Sequence, residues 1–255
     1  MSLLSSVLML VVSLALMAAG SVFLVQETRL SEQAVSRVQA LGSAEVAIAH
    51  TLEAWDPRNA TRVAPGLYLV NRSEVGLLVR LKPVAFPEAA LIAGGSVTLA
   101  PGADVEGAVD SGASGSGLVG DLDVDRVSAL ADLTVPGGRY GTLPAAPGDG
   151  VLRIQGNAEV LGGNGSGVLL IDGDLTVSGP LTFSGVILVR GKLAMSGSAA
   201  LSTHLRGSVV TFMSVTGDSS LWLTYDKTLI DKVLSKFGTP ARLRTRSWTS
   251  LSQWG

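Results

Sequence analysis

The first hydrophobic pattern in the chain is an uncharged run over residues 1–25. About 20 apolar residues suffice to cross a bilayer as a helix, so this run predicts a membrane span. No Lys or Arg precedes it, and we therefore interpret Met1 as the residue left after removal of a short basic leader. The side chains that we expect to hold this helix in apolar surroundings are Leu3, Leu4, Val7, Leu10, Val11, Leu14 and Val22.

An amphipathic pattern follows and extends to Trp55. Its apolar residues recur at spacings of three and four, the period of a helix with one apolar face. Asp56-Pro57 ends the pattern, because proline disfavours helix at the residue before it. Together the two patterns predict one helix of about 55 residues, ~80 Å long. Its apolar stripe consists of Leu30, Ala34, Val38, Leu41, Ala44, Ile48, Leu52 and Trp55.

This helix resembles the N-terminal helix of type IV pilins and pilin-like proteins, especially a group of large minor pilins. The resemblance implies N-methylation of Met1 and a helix that lies in the inner membrane before it packs into a filament core. It also implies prepilin peptidase and other pilin subunits as partners, and a final location in an extracellular filament or at the cell surface. Ser5 departs from the family, where Glu is usual and is thought to pair with a neighbouring N-terminal amine. A membrane anchor with a stalk explains the same pattern without a pilus.

A repeated hexad dominates the middle of the chain. VLRIQG (151–156), VLLIDG (168–173) and VILVRG (186–191) lie 17 and 18 residues apart, and VVTFMS (209–214) resembles a fourth copy. Shorter apolar runs follow each hexad, so each repeat predicts three short strands and therefore one coil of a β-solenoid. ALIAGGSVTLAPGADVEGAV (90–109) has the same rhythm and predicts an earlier coil. The alternative is a β-sandwich with regularly spaced strands.

The remaining segments complete an α+β fold class: a long N-terminal helix followed by a mainly β domain. GLYLV and GLLVRL predict a β-hairpin, and DKTLIDKVLSKFG predicts an amphipathic helix that covers one end of the solenoid. SGASGSG and VPGGRYGTLPAAPGDG predict loops or excursions. The expected domains are the helix (1–55), a linker and hairpin (56–88), the solenoid (89–225), and a capping helix with a C-terminal tail (226–255).

Composition narrows the chemistry. The chain contains no Cys and only two His, His50 and His204, which excludes thiolate metal sites and leaves no recognisable catalytic pair. The net charge of −2 argues against a generally basic nucleic-acid binder. We therefore expect no enzyme activity, no cofactor and no resident metal.

One acidic segment has the spacing of a calcium loop. Asp121, Asp123, Asp125 and Asp132 occupy positions 1, 3, 5 and 12 of an EF-hand-like pattern, but Arg126 stands where that loop needs Gly. A solvated acidic turn explains the same residues.

The C-terminal tail is basic and aromatic. Arg242, Arg244 and Arg246 alternate before Trp248, which could serve nucleic-acid or partner contact. An edge strand with alternating arginines is the ordinary alternative.

Three functions are compatible with these patterns. The first is a minor pilin or pilin-like structural subunit of a type IV pilus or related filament, with the solenoid exposed for assembly or contact. The second is a bactofilin-like, membrane-attached solenoid polymer. The third is a tethered β-helix that binds carbohydrate or DNA.

Overall fold

The computed structural model describes residues 30–36, 38–40, 42–43, 46–47, 49–50, 52, 55–64, 66–72, 75–196, 202–241 and 248–250. The chain divides into two compact units. The first comprises Met1–Trp55, Val70–Leu77 and Thr245–Gly255, and the second comprises Asp56–Leu69 and Leu78–Arg244.

Strands account for most of the regular structure in the described residues, and the three α-helices that follow Trp55 are short. The strands are β1 (Thr61–Ala64), β2 (Leu67–Arg72), β3 (Val75–Lys82), β4 (Leu91–Ala93), β5 (Val97–Leu99), β6 (Asp104–Glu106), β7 (Val109–Ser111), β8 (Leu133–Tyr140), β9 (Val151–Val160), β10 (Gly163–Ile171), β11 (Leu175–Val177), β12 (Leu181–Val189), β13 (Leu193–Met195), β14 (Thr203–Thr211), β15 (Val215–Gly217), β16 (Leu221–Thr224), β17 (Thr239–Pro240) and β18 (Trp248–Ser250). The helices are α1 (Ser116–Val119), α2 (Val124–Ala129) and α3 (Lys227–Leu234), with 3-10 turns at Pro57–Asn59 and Ser235–Phe237.

The first unit contains helical residues and a strand pair. Its described residues between 30 and 52 are helical, and β18 pairs antiparallel with the first residues of β3. Leu30 and Val38 of the expected apolar stripe are exposed. Residues 1–29 lie outside the described part of the chain, so Met1, Ser5 and the expected core residues between Leu3 and Val22 do too.

The helical part of the predicted fold class is wrong. The described chain is mainly β, and within it we find no helix long and apolar enough to cross a membrane. From Leu30 onwards, charged and amide side chains such as Glu32 and Gln33 interrupt the apolar sequence, and the stripe residues Leu30 and Val38 face solvent. The same finding contradicts the expected location as a single-pass inner-membrane protein.

The second unit contains a β-solenoid with three faces, as the hexads predicted. Strands of successive coils pair in parallel and in register: Val151, Val168 and Val186 align, and so do the residues that follow them. Face 1 is formed by residues 133–135, 151–154, 168–171, 186–189, 208–211, 91–93 and 109–111. Face 2 is formed by 138–140, 158–160, 175–177, 193–195, 215–217 and 97–99. Face 3 is formed by 163–167, 181–185, 203–207, 221–224 and 104–106.

The fourth hexad is displaced by one residue from its predicted position. Val186 pairs with Ser208 rather than with Val209, so the copy is SVVTFM and begins at Ser208. Ser208 is buried and its hydroxyl donates a hydrogen bond to the carbonyl of Ala89, 2.8 Å away. A polar residue is stable at this position because it has a partner.

A column of glycines forms the corner between face 3 and face 1. Gly167, Gly185 and Gly207 are register partners, and each has a positive φ. A Cβ on Gly185 would overlap the carbonyl oxygen of Gly167, and one on Gly207 would overlap that of Gly185. The corner therefore needs glycine both for its backbone conformation and for close stacking of the coils.

The coils do not stack in chain order. The coil that comes first in the sequence, with β4, β5 and β6, pairs with β14, β15 and β16, which come last. The chain then leaves β7 and returns at β8, which pairs only with β9 among the described strands. The expected earlier coil therefore exists, but it occupies the opposite end of the stack.

Helices cover face 1 along its side. Leu118, Leu122 and Val127 of the segment that joins β7 to β8 are buried against the outward residues of face 1. Ile230 and Val233 of α3 join the same cluster, and α3 contacts β12 and β14. Face 1 is thus apolar on both sides, whereas the inward residues of all three faces form a separate core.

A few antiparallel strands accompany the solenoid in the second unit. β1 pairs with β2, where Thr61 lies opposite Leu69, and β17 pairs with β3, where Thr239 lies opposite Lys82. β2 and β3 are neighbours in this sheet.

Candidate functional site

The two ends of the solenoid are its most unusual surfaces, because each leaves strands paired on one side only. At the β7 end, β5, β6 and β7 each pair with a single strand among the described residues. At the β8 end, β8 pairs only with β9 in that same part of the chain. Such edges present free N–H and C=O groups that can pair with another chain.

The core is also incompletely covered at both ends. Inward residues of the middle coils are buried, but Val97, Leu99 and Val105 at the β7 end are only partly buried. Leu133 and Val135 at the β8 end are partly buried as well. Val109 of β7 is 42% exposed. A further coil, or another copy of the chain, would complete the burial of these side chains.

The two ends differ in charge. Asp104, Glu106 and Asp110 are the charged residues of 89–111, and none of them has an ion pair within the described chain. The β7 end is therefore an uncompensated acidic edge.

The β8 end is balanced by contrast. The charged residues of 132–150 are Asp132, Arg139 and Asp149, and each has an opposite charge nearby. Arg139 Nε lies 3.5 Å from a carboxylate oxygen of Glu159. Asp149 lies 3.0 Å from the amine of Lys232, and Asp132 lies 3.6 Å from that of Lys236.

Lys236 shows how closely this end is packed. Burial lowers the pKa of its amine, and the adjacent Asp132 carboxylate opposes that shift. Lys236 also donates a hydrogen bond to the carbonyl of Asp149 at 3.0 Å. Both contacts hold the β8 coil to the end of α3 through Lys236.

The predicted capping helix lies beside the solenoid and not over an end coil. α3 begins at the N-cap Asp226, whose carboxylate accepts the N–H of Leu229 at 2.9 Å. That hydrogen bond, together with Arg206, lowers the pKa of Asp226. The main strand contacts of α3 are with β12 and β14, which have solenoid strands on both sides.

Three of the four aspartates in the acidic segment have hydrogen-bond or ion-pair partners within the chain. Asp123 caps α2 by accepting the N–H groups of Asp125 and Arg126, and Asp125 pairs with Arg190. Asp132 accepts the N–H of Val151 at 2.7 Å. Among the residues that the structure describes, no group of three or more His, Cys, Asp or Glu side chains could hold a metal ion.

The basic tail lies mostly outside the described residues. The residues that the structure does not describe include Arg242, Arg244 and Arg246. For Trp248, only the backbone pairing with Leu77 is described. A role of this tail in nucleic-acid or partner contact stays a prediction.

One pair of residues was missed by the sequence reasoning. His204 and Trp222 are register partners on face 3, and their rings lie 5.9 Å apart at 31°. Their separation of 18 residues equals one repeat, which was the available signal.

Comparison with known proteins finds no match: no family model, no curated protein and no solved structure is similar to this chain. The identification with type IV pilins is therefore corrected. Its basis was the first 55 residues; no family model supports it, and the described chain is mostly a β-solenoid without a long apolar helix.

Proposed function

We propose that this protein is a structural subunit that assembles end to end with a second copy of itself through the β8 end of its solenoid. The observation that carries the proposal is that β8 is an edge strand, paired on one side only within the described chain, with partly exposed core residues and balanced charge. An edge strand presents backbone groups that can pair with another chain, and such pairing would bury Leu133 and Val135.

Charge favours the β8 end over the β7 end. Two copies that met through the β7 end would bring six carboxylates together, since each copy contributes Asp104, Glu106 and Asp110. Like charges on facing strands are destabilising. Two copies that met through β8 would bring together two Arg139–Glu159 pairs, which have no net charge.

Topology favours a two-fold arrangement over a head-to-tail filament. Beyond the coil of β4 to β6, β7 already occupies face 1, and β8 also begins on face 1. In a head-to-tail stack, β7 of one copy would therefore lie against the face-1 part of β8 of the next copy. At that junction face 1 would have one strand more than faces 2 and 3. A two-fold axis through the face-2 part of β8 avoids that mismatch, and two-fold dimers are the commonest symmetric oligomers.

Disulfide trapping tests the arrangement directly, because the natural chain contains no cysteine. Arg139→Cys places a thiol close to the expected two-fold axis, and we expect mild oxidation to yield a covalent dimer. Thr98→Cys is the matched control, since Thr98 is also outward and exposed on face 2 but at the β7 end. A dimer from both variants, or from Thr98→Cys alone, would overturn the proposed end.

A charge swap tests the same interface without cysteine. Arg139→Glu places four carboxylates at the dimer seam, and we expect sedimentation of the full chain to shift from dimer to monomer. Arg139→Glu with Glu159→Arg restores the balance and should restore the dimer. Arg139 is 67% exposed, so the repulsion between the new carboxylate of Arg139→Glu and the facing Glu159 should lower the melting temperature only slightly, and the double swap should restore it. A wild-type chain that sediments as a monomer contradicts the proposal.

A further inference from the structure

We propose that the outward surface of face 3 binds a neutral polysaccharide chain, with Trp222 as its stacking platform. Its aromatic platform lies near the β7 end of face 3, so the proposal does not depend on the proposed dimer.

Two columns of outward side chains run along face 3. The register aligns them from coil to coil, so that each column has one side chain per coil, about 4.8 Å from the next. The first column is Asn164, Thr182, His204, Trp222 and Asp104. The second column is Ser166, Ser184, Arg206, Thr224 and Glu106.

Trp222 gives this surface an apolar element. It is 50% exposed, although tryptophan is a residue that proteins usually keep largely covered. His204 lies beside it with ring centroids 5.9 Å apart, and Ser202 Oγ is 2.9 Å from His204 Nε2. The two rings form a tilted pair, and the exposed half of the Trp222 surface is available to a ligand with an apolar face.

The neighbouring side chains supply hydrogen bonds. Asn164 and Thr182 continue the first column away from the aromatic pair, and Ser166 lies next to them in the second column. All three are exposed amides or hydroxyls, and the Ser166 hydroxyl, which donates to the carbonyl of Gly148, can still accept a hydrogen bond. A sugar ring combines an apolar face with a rim of hydroxyl groups, and it therefore matches an aromatic platform flanked by such groups.

The charges on face 3 select a neutral chain. Arg206 is held by Asp226, with 2.7 Å between nitrogen and oxygen, and so its charge is compensated. Asp104 and Glu106 at the β7 end of the columns would repel an anionic ligand. Nucleic acids and acidic polysaccharides need uncompensated cations along their path, and in the described part of the two columns Arg206 is the one Arg or Lys.

A shallow cavity adjoins the second column. It has a volume of about 450 Å³ and is lined by Ser184, Arg206, Asp226 and Lys232, among others. Its position next to the polar column gives space for a substituent or branch of the polysaccharide. Polar groups at the edge of such a cavity would fix the orientation of the sugar.

Affinity electrophoresis and calorimetry of the full chain with hydroxyethyl cellulose, galactomannan and laminarin test the proposal. We expect at least one of these neutral polymers to bind, and Trp222→Ala to weaken that binding by at least about tenfold, or about 1.4 kcal/mol. Trp222→Tyr should retain most of the affinity. Met213→Ala is the control, because Met213 is equally exposed but lies on neither column.

Three results would overturn the proposal. The first is that none of the three polymers binds, and the second is that Trp222→Ala binds as well as the wild type. The third is that polygalacturonate or single-stranded DNA binds more tightly than any neutral polymer. Unchanged thermal melting of Trp222→Ala would separate loss of the site from loss of the fold.

Discussion

The two halves of strand β12 have opposite surroundings, although they belong to one continuous strand. Its first half lies on face 3, where buried Leu181 and Phe183 alternate with the more exposed Thr182 and Ser184. In its second half, on face 1, every residue from Val186 onwards is buried. β14 repeats both patterns.

The difference shows that the pattern of apolar and polar residues along a strand depends on whether helices cover its outer side. Both halves have the same inward core, but within the described residues only face 1 has helices on its outer side. A strand buried on both sides reads as a continuous apolar run, and one with a solvated face alternates. The hexads are therefore the sequence signature of the covered face, and the alternating runs are that of the bare face.

The glycine corner between the two halves should be the least tolerant position. Gly207→Ala forces a Cβ into the carbonyl of Gly185 at a φ of 129°, and we expect a loss of more than about 4 kcal/mol in unfolding free energy. Gly141→Ala is the control, because open space surrounds Gly141 and its φ is not positive. Chemical denaturation measures the unfolding free energy of both variants. Equal losses would contradict the stacked-corner account.

The two halves should also respond differently to truncation to alanine. Leu188 points outward from face 1 into the helix-covered cluster, so Leu188→Ala should cost about 3 kcal/mol. Thr182 points outward from face 3 into solvent, and Thr182→Ala should change the stability by less than about 0.5 kcal/mol. Denaturant titration of the two single variants gives the comparison. Similar costs would mean that face 3 is covered in solution.

A smaller effect than that of Leu188→Ala should come from the cap that starts the covering helix. The hydrogen bond from Leu229 and the pair with Arg206 lower the pKa of Asp226 below its ordinary 3.8. A lowered carboxyl pKa stabilises the fold above the unfolded-state value, and the stabilisation is lost as the pH falls through the folded-state value. Asn is as good an N-cap as Asp, so Asp226→Asn should cost only the solvent-screened charge contribution from the helix terminus and Arg206, up to about 1 kcal/mol at neutral pH.

That cost should shrink as the pH falls below 3.8. Denaturation of the wild type and of Asp226→Asn over a pH series measures this dependence. A difference between the two proteins that stays constant from neutral pH to pH values well below 3.8 would contradict the role of the charged carboxylate.

The sequence was sufficient to predict the β-solenoid fold but not the order in which its coils stack. The hexads predicted the coils because identical positions stack on one another, as the alignment of Val151, Val168 and Val186 shows. The placement of the 90–106 coil at the far end depends on long-range pairing that a repeat cannot encode. VPGGRY was predicted as loop because of its Pro and Gly, yet β8 places Pro136 and Gly137 at a corner between two paired segments.

The candidate sites were harder to predict for the same reason. The acidic spacing around Asp121 suggested convergence, but Asp123, Asp125 and Asp132 turn to three different partners. The pairing of His204 with Trp222 follows only once the coil period and the face of each strand are known.

The crossed order of the coils has a consequence for folding during synthesis. Leu91 pairs with Val209, 118 positions later in the chain. The coil that leaves the ribosome first can pair β4 with the nearby β7, but its other edge, which faces β14, β15 and β16, must stay unpaired until nearly all of the second unit has been made. Such distant pairing slows folding and prolongs the time in which exposed edges can aggregate. We expect the early coil to be the part of the nascent chain that most needs a chaperone.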